Sequence, residues 1–149
     1  MEVLPHFWID YYEQNNMLYN KLNDKSTIIH LSKYESFNKK SNIEEIRIPI
    51  DYSEVVLLED KNNIIYQHLF DITDFIHEKI NNCQNILLIG NNEKQDIDTI
   101  IISYFIRYGR MTIQDSIIAL KSKKNNSFNP KCLFYFALNR FYNEINKNY

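Results

Sequence analysis

Apolar and polar positions along the chain alternate between strand-like and helix-like rhythms. HFWID, residues 6–10, reads as a short first strand, and STIIHLS, 26–32, as a compact buried one. EEIRIPI, 44–50, alternates as a strand does, and its Pro49 marks a strand end or an edge. NILLI, 85–89, is a continuous apolar run of the kind found at the centre of a sheet. Helical spacing appears in EQNNMLYNKLND, 13–24, through Met17, Leu18 and Leu22. It is clearest in IIYQHLFDITDFIHEKI, 64–80, where Ile65, Leu69, Ile72, Ile76 and Ile80 share a face and Asn81 and Asn82 end the run. Residues 33–42 read as a polar loop and 51–63 as a connection with modest helical tendency.

Three more helices are predicted in the last third. One spans Ile97 to Tyr108, with Asp96 as its N-cap, Ile100, Ile101, Tyr104 and Phe105 as its buried face, and Gly109 at its end. TIQDSIIALKSK, 112–123, opens on a capping residue and carries Ile113, Ile117 and Leu120 on one side. NPKCLFYFALNRFYNEI, 129–145, has Pro130 in its first turn and an apolar face of Leu133, Phe134, Ala137, Leu138 and Phe141. Alternating strands and helices and then three helices predict a single α/β domain over 1–149 with a largely parallel central sheet. Ligands of such sheets bind at loops leaving the carboxyl ends of strands, and 90–96 is such a loop.

Composition narrows the class. Apolar residues are 44% and charged residues 24%, which predicts a globular rather than a disordered chain. No run approaches the roughly 18 apolar residues of a membrane span. MEVLPHFWIDYYEQ lacks the basic start and apolar stretch of a secretory signal. Cys83 and Cys132 lack metal-site spacing, so a reducing compartment, cytosol or nucleus, is expected. Cys132 reads as a small core hydrophobe and Cys83 as a turn residue. The net charge of −2 argues against a general nucleic-acid binder. The one basic cluster, KSKKNN at 121–126, reads first as a solvated turn and second as a contact for an acidic partner.

NILLIGNNEKQDID, 85–98, has the outline of strand, tight turn and helix start that commonly cradles phosphate. Yet no Cys, Ser, Lys or Arg stands where chemistry needs one, and the charges are mostly acidic. Other chemistry is thin. His6, His30, His68 and His77 form no metal-type pair, and His30 within an apolar strand reads as a satisfied core histidine. Asp71, Asp74 and Glu78 share one helix and read as a solvated face. No metal or cofactor is predicted.

The chain resembles the dual-specificity phosphatase family of cysteine phosphatases. ILLI, 86–89, looks like that family's strand before its phosphate loop; SYFI, 103–106, like its Ala-Tyr-Leu-Met segment; and MTIQDSIIALK, 111–121, like the next helix. Pro130, Phe134, Leu138 and Phe141 resemble the final helix, RIPID, 47–51, the segment ending in the general acid, and LFDITDFI, 69–76, the helix before the strand. The resemblance implies a central, mostly parallel sheet of about four to five strands flanked by helices, with three C-terminal helices. It places Ile89 at the family His, Gly90 at the nucleophilic Cys, Glu93 at the loop Gly, Asp96 at the invariant Arg, Ile97 at the Ser/Thr and Asp51 at the general acid.

These replacements imply a degenerate site. Gly90 supplies no nucleophile, and Asp96 puts an anion where the family puts a cation that grips phosphate through two hydrogen bonds. Gly90-Asn91 resembles the STYX-type pseudophosphatases, which implies an inactive protein acting as a scaffold or regulatory subunit. Expected partners are a kinase, a phosphatase relative, a phosphatase substrate or a second copy, with neither membrane nor nucleic acid. A residual phosphopeptide- or phosphoinositide-binding module is the alternative, and an enzyme with relocated residues a remoter one. The loop is expected either to fill its own anion site with Asp96, Asp98 or Glu93, or to expose an acidic knob. With 11 Tyr and 9 Phe, part of the aromatic complement is expected at the surface. Segments 8–19 and 134–142 are the candidate interface, with Trp8, Tyr11, Tyr12, Tyr19, Tyr135, Arg140 and Tyr142 as its anchors.

Overall fold

The computed structural model describes residues 1–11, 26–31, 43–48, 57–90, 95–128 and 131–147. Among these lie five strands: β1 (Glu2–Leu4), β2 (Phe7–Tyr11), β3 (Ser26–His30), β4 (Glu44–Arg47) and β5 (Asn85–Gly90). Four helices accompany them: α1 (Leu58–Asn81), α2 (Asp96–Tyr108), α3 (Ile113–Lys123) and α4 (Tyr135–Asn146). No described helix is long and apolar enough to cross a membrane. The helix expected over 13–24 lies outside the described residues, as do Pro49, Asp51, Glu93 and Pro130.

The described residues group into two compact units, Met1–Asp51 with Ile76–Ile97, and Tyr52–Phe75 with Asp98–Tyr149. The first holds the sheet, in the order β1-β2-β5-β3-β4. β2, β5, β3 and β4 run parallel, and only β1 is antiparallel. β5 takes the centre because Ile86 to Ile89 are apolar without interruption and wholly buried, as a strand covered on both faces must be. Its registers are Phe7↔Ile86 to Tyr11↔Gly90 on one side and Ser26↔Asn85 to His30↔Ile89 on the other. Trp8, Ile28, Ile43, Leu87 and Ile89 pack as one cluster. β1 is absent from the hydrophobic pattern: three residues and a tight turn at Pro5-His6 carry too little signal. His6 makes that turn in the left-handed region (φ 71°), and its Nδ1 hydrogen-bonds Asn85 Oδ1 at 2.9 Å.

α2, whose residues from Asp98 on belong to the second unit, departs from the expected amphipathic stripe. Its residues, and Gln95 before it, are buried continuously through Ile106, so Ile102 and Ile106 are as enclosed as Ile101. Arg107 closes the helix by donating from Nη1 to the Phe70 carbonyl (2.9 Å) and to Thr73 Oγ1 (3.1 Å), while pairing with Asp74 at 2.8 Å. Tyr108 donates to the same Asp74 at 2.5 Å, and burial together with that bond pushes its hydroxyl up to about 12. Asp74 is on the exposed face expected of it and also serves as acceptor for Arg107 and Tyr108.

Two helix boundaries shift from the sequence expectation. α1 starts six residues earlier than the periodicity from Ile64 implies. α4 starts later, at Tyr135, with Lys131 to Phe134 outside the helix. The reason is Asn62, buried on α1. Its Oδ1 accepts from the Ala137 N–H at 2.8 Å, and its Nδ2 donates to the Leu133 carbonyl (3.1 Å) and the Leu58 carbonyl (2.9 Å). Phe134 at the N-cap has no side-chain acceptor, so an amide from another helix satisfies the first turn of α4.

Asn62→Ala leaves a buried N–H and a buried carbonyl without that amide. It is expected to cost about 2 kcal/mol in urea unfolding, against a change within about 0.5 kcal/mol for the neighbouring exposed Asn63→Ala.

Candidate active site

β5 delivers Gly90 to the carboxyl edge of the sheet, between Tyr11 at the end of β2 and Leu31 just past β3. The Leu31 N–H donates to the Ile89 carbonyl at 3.0 Å, which extends the β3–β5 ladder to this edge. Residues paired across a parallel sheet point to one face, so Tyr11, Gly90 and Leu31 share a face. A Cβ built on Gly90 would meet Ile97 Cγ1 at 3.2 Å, Ile97 Cδ1 at 3.3 Å and Leu31 Cδ1 at 3.4 Å. A side chain at residue 90 would thus pack tightly from its Cβ onward, and Ile97 would have to give by a few tenths of an ångström. Gly90 has no left-handed φ, so its backbone accepts any residue and the obstruction is steric.

Beyond residues 91–94, which lie outside the described ones, the chain re-enters through Gln95, whose φ of 60° lies in the left-handed region. For a side-chain-bearing residue that conformation costs about 1 kcal/mol or more, and it turns the chain sharply into α2. Asp96 is the first residue of α2, one position inside its expected N-cap role, and is 2% exposed. A carboxylate at this end complements the unpaired N–H groups and the positive end of the helix dipole. The position that the resemblance assigns to a phosphate-gripping cation therefore carries a buried acidic side chain. An exposed acidic knob is not what Asp96 forms.

In the second unit, Asp98 accepts from Lys124 Nζ through both carboxylate oxygens, at 2.9 and 3.1 Å. Both side chains are almost fully enclosed, 4% and 11% exposed. Burial raises the Asp98 carboxyl above its usual value, and the Lys124 hydrogen bonds, its charge and the Phe128 N–H pull it back. Lys124 belongs to the basic cluster expected as a solvated turn; Lys121 and Lys123 are solvated but end α3, and Lys124 is enclosed. Asp98 neutralises its own lysine and pins the 124–128 turn.

The remaining candidate residues are dispersed. Tyr11 is buried in β2 and Trp8 is packed on the sheet cluster, so neither presents a free surface ring. Tyr135 and Arg140 are exposed on α4, and Tyr142 is half-buried there. Tyr12, Tyr19, Asp51 and Glu93 lie outside the described residues. His30 is buried, hydrogen-bonded to Glu45 at 3.3 Å, and lowered by burial. Among the described residues no three His, Cys, Asp or Glu side chains gather as metal ligands. Cys83 is exposed, and Cys132 is half-buried with its thiol raised by burial. Sequence reasoning identified Ile97 as a replacement for the family hydroxyl but not as a filler of the space beside residue 90. Nothing in the sequence signals Leu31 in that role, because the contact spans 59 residues of chain between Leu31 and Gly90.

No protein-family model matches the chain. Over 119 residues, 80% of this chain and 76% of the relative, it is 29% identical to Putative tyrosine phosphatase 123R of Invertebrate iridescent virus 6. Its structure is similar to human DUSP28, with a TM-score of 0.75 at 12% identity, covering 99% of each chain. It is also similar to the human tyrosine phosphatase-like serine/threonine/tyrosine-interacting protein, with a TM-score of 0.70 at 16% identity, covering 94% of this chain and 93% of that one. The fold is that of the dual-specificity phosphatases.

Three substitutions probe this geometry. Lys124→Met strands a buried carboxylate and should lower stability by about 3 kcal/mol at pH 7. Because the folded-state pKa of Asp98 is already above its unfolded value of 3.8 and loses its lysine in the variant, stability should recover as pH falls through that raised pKa. A deficit independent of pH between about 4 and 7 in chemical unfolding would argue against the pair. In a double-mutant cycle, Gly90→Ala and Ile97→Ala should couple favourably by about 1 kcal/mol, since shortening Ile97 frees the space the new methyl needs.

Proposed function

We propose that this chain is a catalytically inactive protein of phosphatase fold that works by binding another protein, as a scaffold or regulatory subunit. The observation that carries the reading is Gly90 itself: it has no nucleophilic atom, and even a Cβ there would stand 3.2 to 3.4 Å from Ile97 and Leu31. Phosphoryl transfer through a phosphoenzyme needs an attacking atom with room to move in line. It also needs positive charge around the phosphoryl oxygens, whereas Asp96 is a buried acid at the start of α2. Bringing a phosphate dianion within a few ångströms of a carboxylate in a partly desolvated site costs on the order of several kcal/mol. That argues equally against a phosphopeptide- or phosphoinositide-binding role. The human phosphatase-like interacting protein of the same fold is named for interaction rather than for catalysis, which is consistent with this reading. The setting proposed for the chain is the cytosol or nucleus, and its partner a kinase, a phosphatase, a phosphatase substrate or a second copy.

The test is hydrolysis of a generic aryl phosphate. The wild-type chain is expected to show none above the buffer rate. Gly90→Cys with Glu93→Gly and Asp96→Arg should stay near background while Ile97 remains, and adding Ile97→Ser should give measurable turnover. Hydrolysis by the wild-type chain would overturn the proposal. Saturable binding of a phosphopeptide over its unphosphorylated form would favour the residual-binder reading instead.

A further inference from the structure

The turn between α2 and α3 brings two arginines to one cavity of the second unit. Gly109 follows α2, where a Cβ would stand 2.6 Å from the Phe105 carbonyl oxygen. Arg110 then turns the chain in the left-handed region (φ 54°), a conformation that costs a side-chain-bearing residue about 1 kcal/mol or more. Arg110 is exposed and makes no hydrogen bond or ion pair with a described residue. Arg107, in the last turn of α2, is held from several sides. Its Nη1 reaches the Phe70 carbonyl, Thr73 Oγ1 and Asp74, and its guanidinium lies 5.3 Å from the centroids of the Phe70 and Tyr108 rings. Its Nε and Nη2 keep their N–H groups for another acceptor. Both arginines line a cavity of about 410 Å³ bounded by the end of α2, the turn after it and the last turns of α4. That volume falls in the range of ligand clefts. Met111, Tyr142 and Ile145 give the cavity an apolar side, and no acid is among its described lining residues.

Charge and lining select the ligand. Asp74 offsets much of the Arg107 charge, so the net positive charge at the cavity rests on Arg110. One net positive charge matches a carboxylate, whereas a phosphate dianion would be only partly compensated. A guanidinium edge receives the two oxygens of a carboxylate through parallel hydrogen bonds, and Nε with Nη2 is such an edge on Arg107. The apolar side calls for a hydrocarbon or aromatic body joined to the carboxylate, since a bare acidic side chain would leave it wet. We propose that this α2–α4 cavity binds a small organic carboxylate with an apolar body. The carboxylate lies on Arg110 and Arg107, and the body lies against Met111, Tyr142 and Ile145. The inference is independent of whether the site at Gly90 is inactive, because no residue of that site takes part.

Titration of benzoate into the isotope-labelled full chain, followed by proton–nitrogen correlation spectra, tests it. Amide resonances of residues 106–112 and 142–146 should shift saturably, with a Kd on the order of 1 mM, the strength expected of so small a ligand. Benzamide, of similar shape without the charge, should bind at least about 10-fold more weakly, and Arg110→Gln should weaken benzoate by about 10-fold or more. Arg140→Gln, at an exposed arginine outside the cavity lining, should leave binding unchanged. Arg110 is exposed and unbonded within the described chain, so its variant folds, and the unaltered remainder of its spectrum shows that it has. The proposal is overturned by the absence of saturable shifts up to about 20 mM benzoate, by equal binding of benzamide or by indifference to Arg110→Gln. Tighter binding of a blocked glutamate than of benzoate also overturns it, and points to an acidic side chain of another protein.

Discussion

The packing of Ile97 and Leu31 against Gly90, each within 3.4 Å of where a Cβ would stand, is the constraint on which the site depends. Glycine at residue 90 leaves a gap at the end of the central strand, and close packing does not leave such gaps open. Two aliphatic chains fill it, one from the residue after β3 and one from the first turn of α2. Residue 90 is thereby bordered by hydrocarbon from Ile97 and Leu31. Asp96 is buried at the start of α2, the end of a helix at which negative charge is favoured. On the proposed reading, the absence of a nucleophile at Gly90, the acid at residue 96 and the aliphatic border are one change seen from three sides.

The second unit is held by a few buried polar side chains that tie segments distant in sequence. Asn62 fixes where α4 begins, Arg107 closes the end of α2 onto α1, and Lys124 satisfies Asp98. Each works only because its partners are complete. Buried groups of this kind contribute little net stability when paired and cost several kcal/mol when one partner is removed. That asymmetry makes them specifiers of register rather than sources of stability. Asn62 in particular places the start of α4 against the start of α1.

Periodicity carried most of the fold. The β5 run, the α1 stripe and the three C-terminal helices were legible because each depends on many apolar positions at once. β1 was not, since three residues and a turn carry no period. The late start of α4 was not, because the amide that decides it sits on another helix. At the site, the glycine at residue 90 and the acid at residue 96 are plain in the sequence. The filling by Leu31 was invisible, and Lys124 was read as solvated, because both contacts join residues that only the folded chain brings together.

A site closed to oxyanions by its own side chains is the central claim. Diffraction from crystals of the wild-type chain soaked in tungstate tests it most directly, since tungstate mimics phosphate and scatters strongly. The predicted result is no ordered tungsten over residues 90–96, with Ile97 and Leu31 still in contact beside Gly90. An ordered tungstate held there by backbone N–H groups would contradict it.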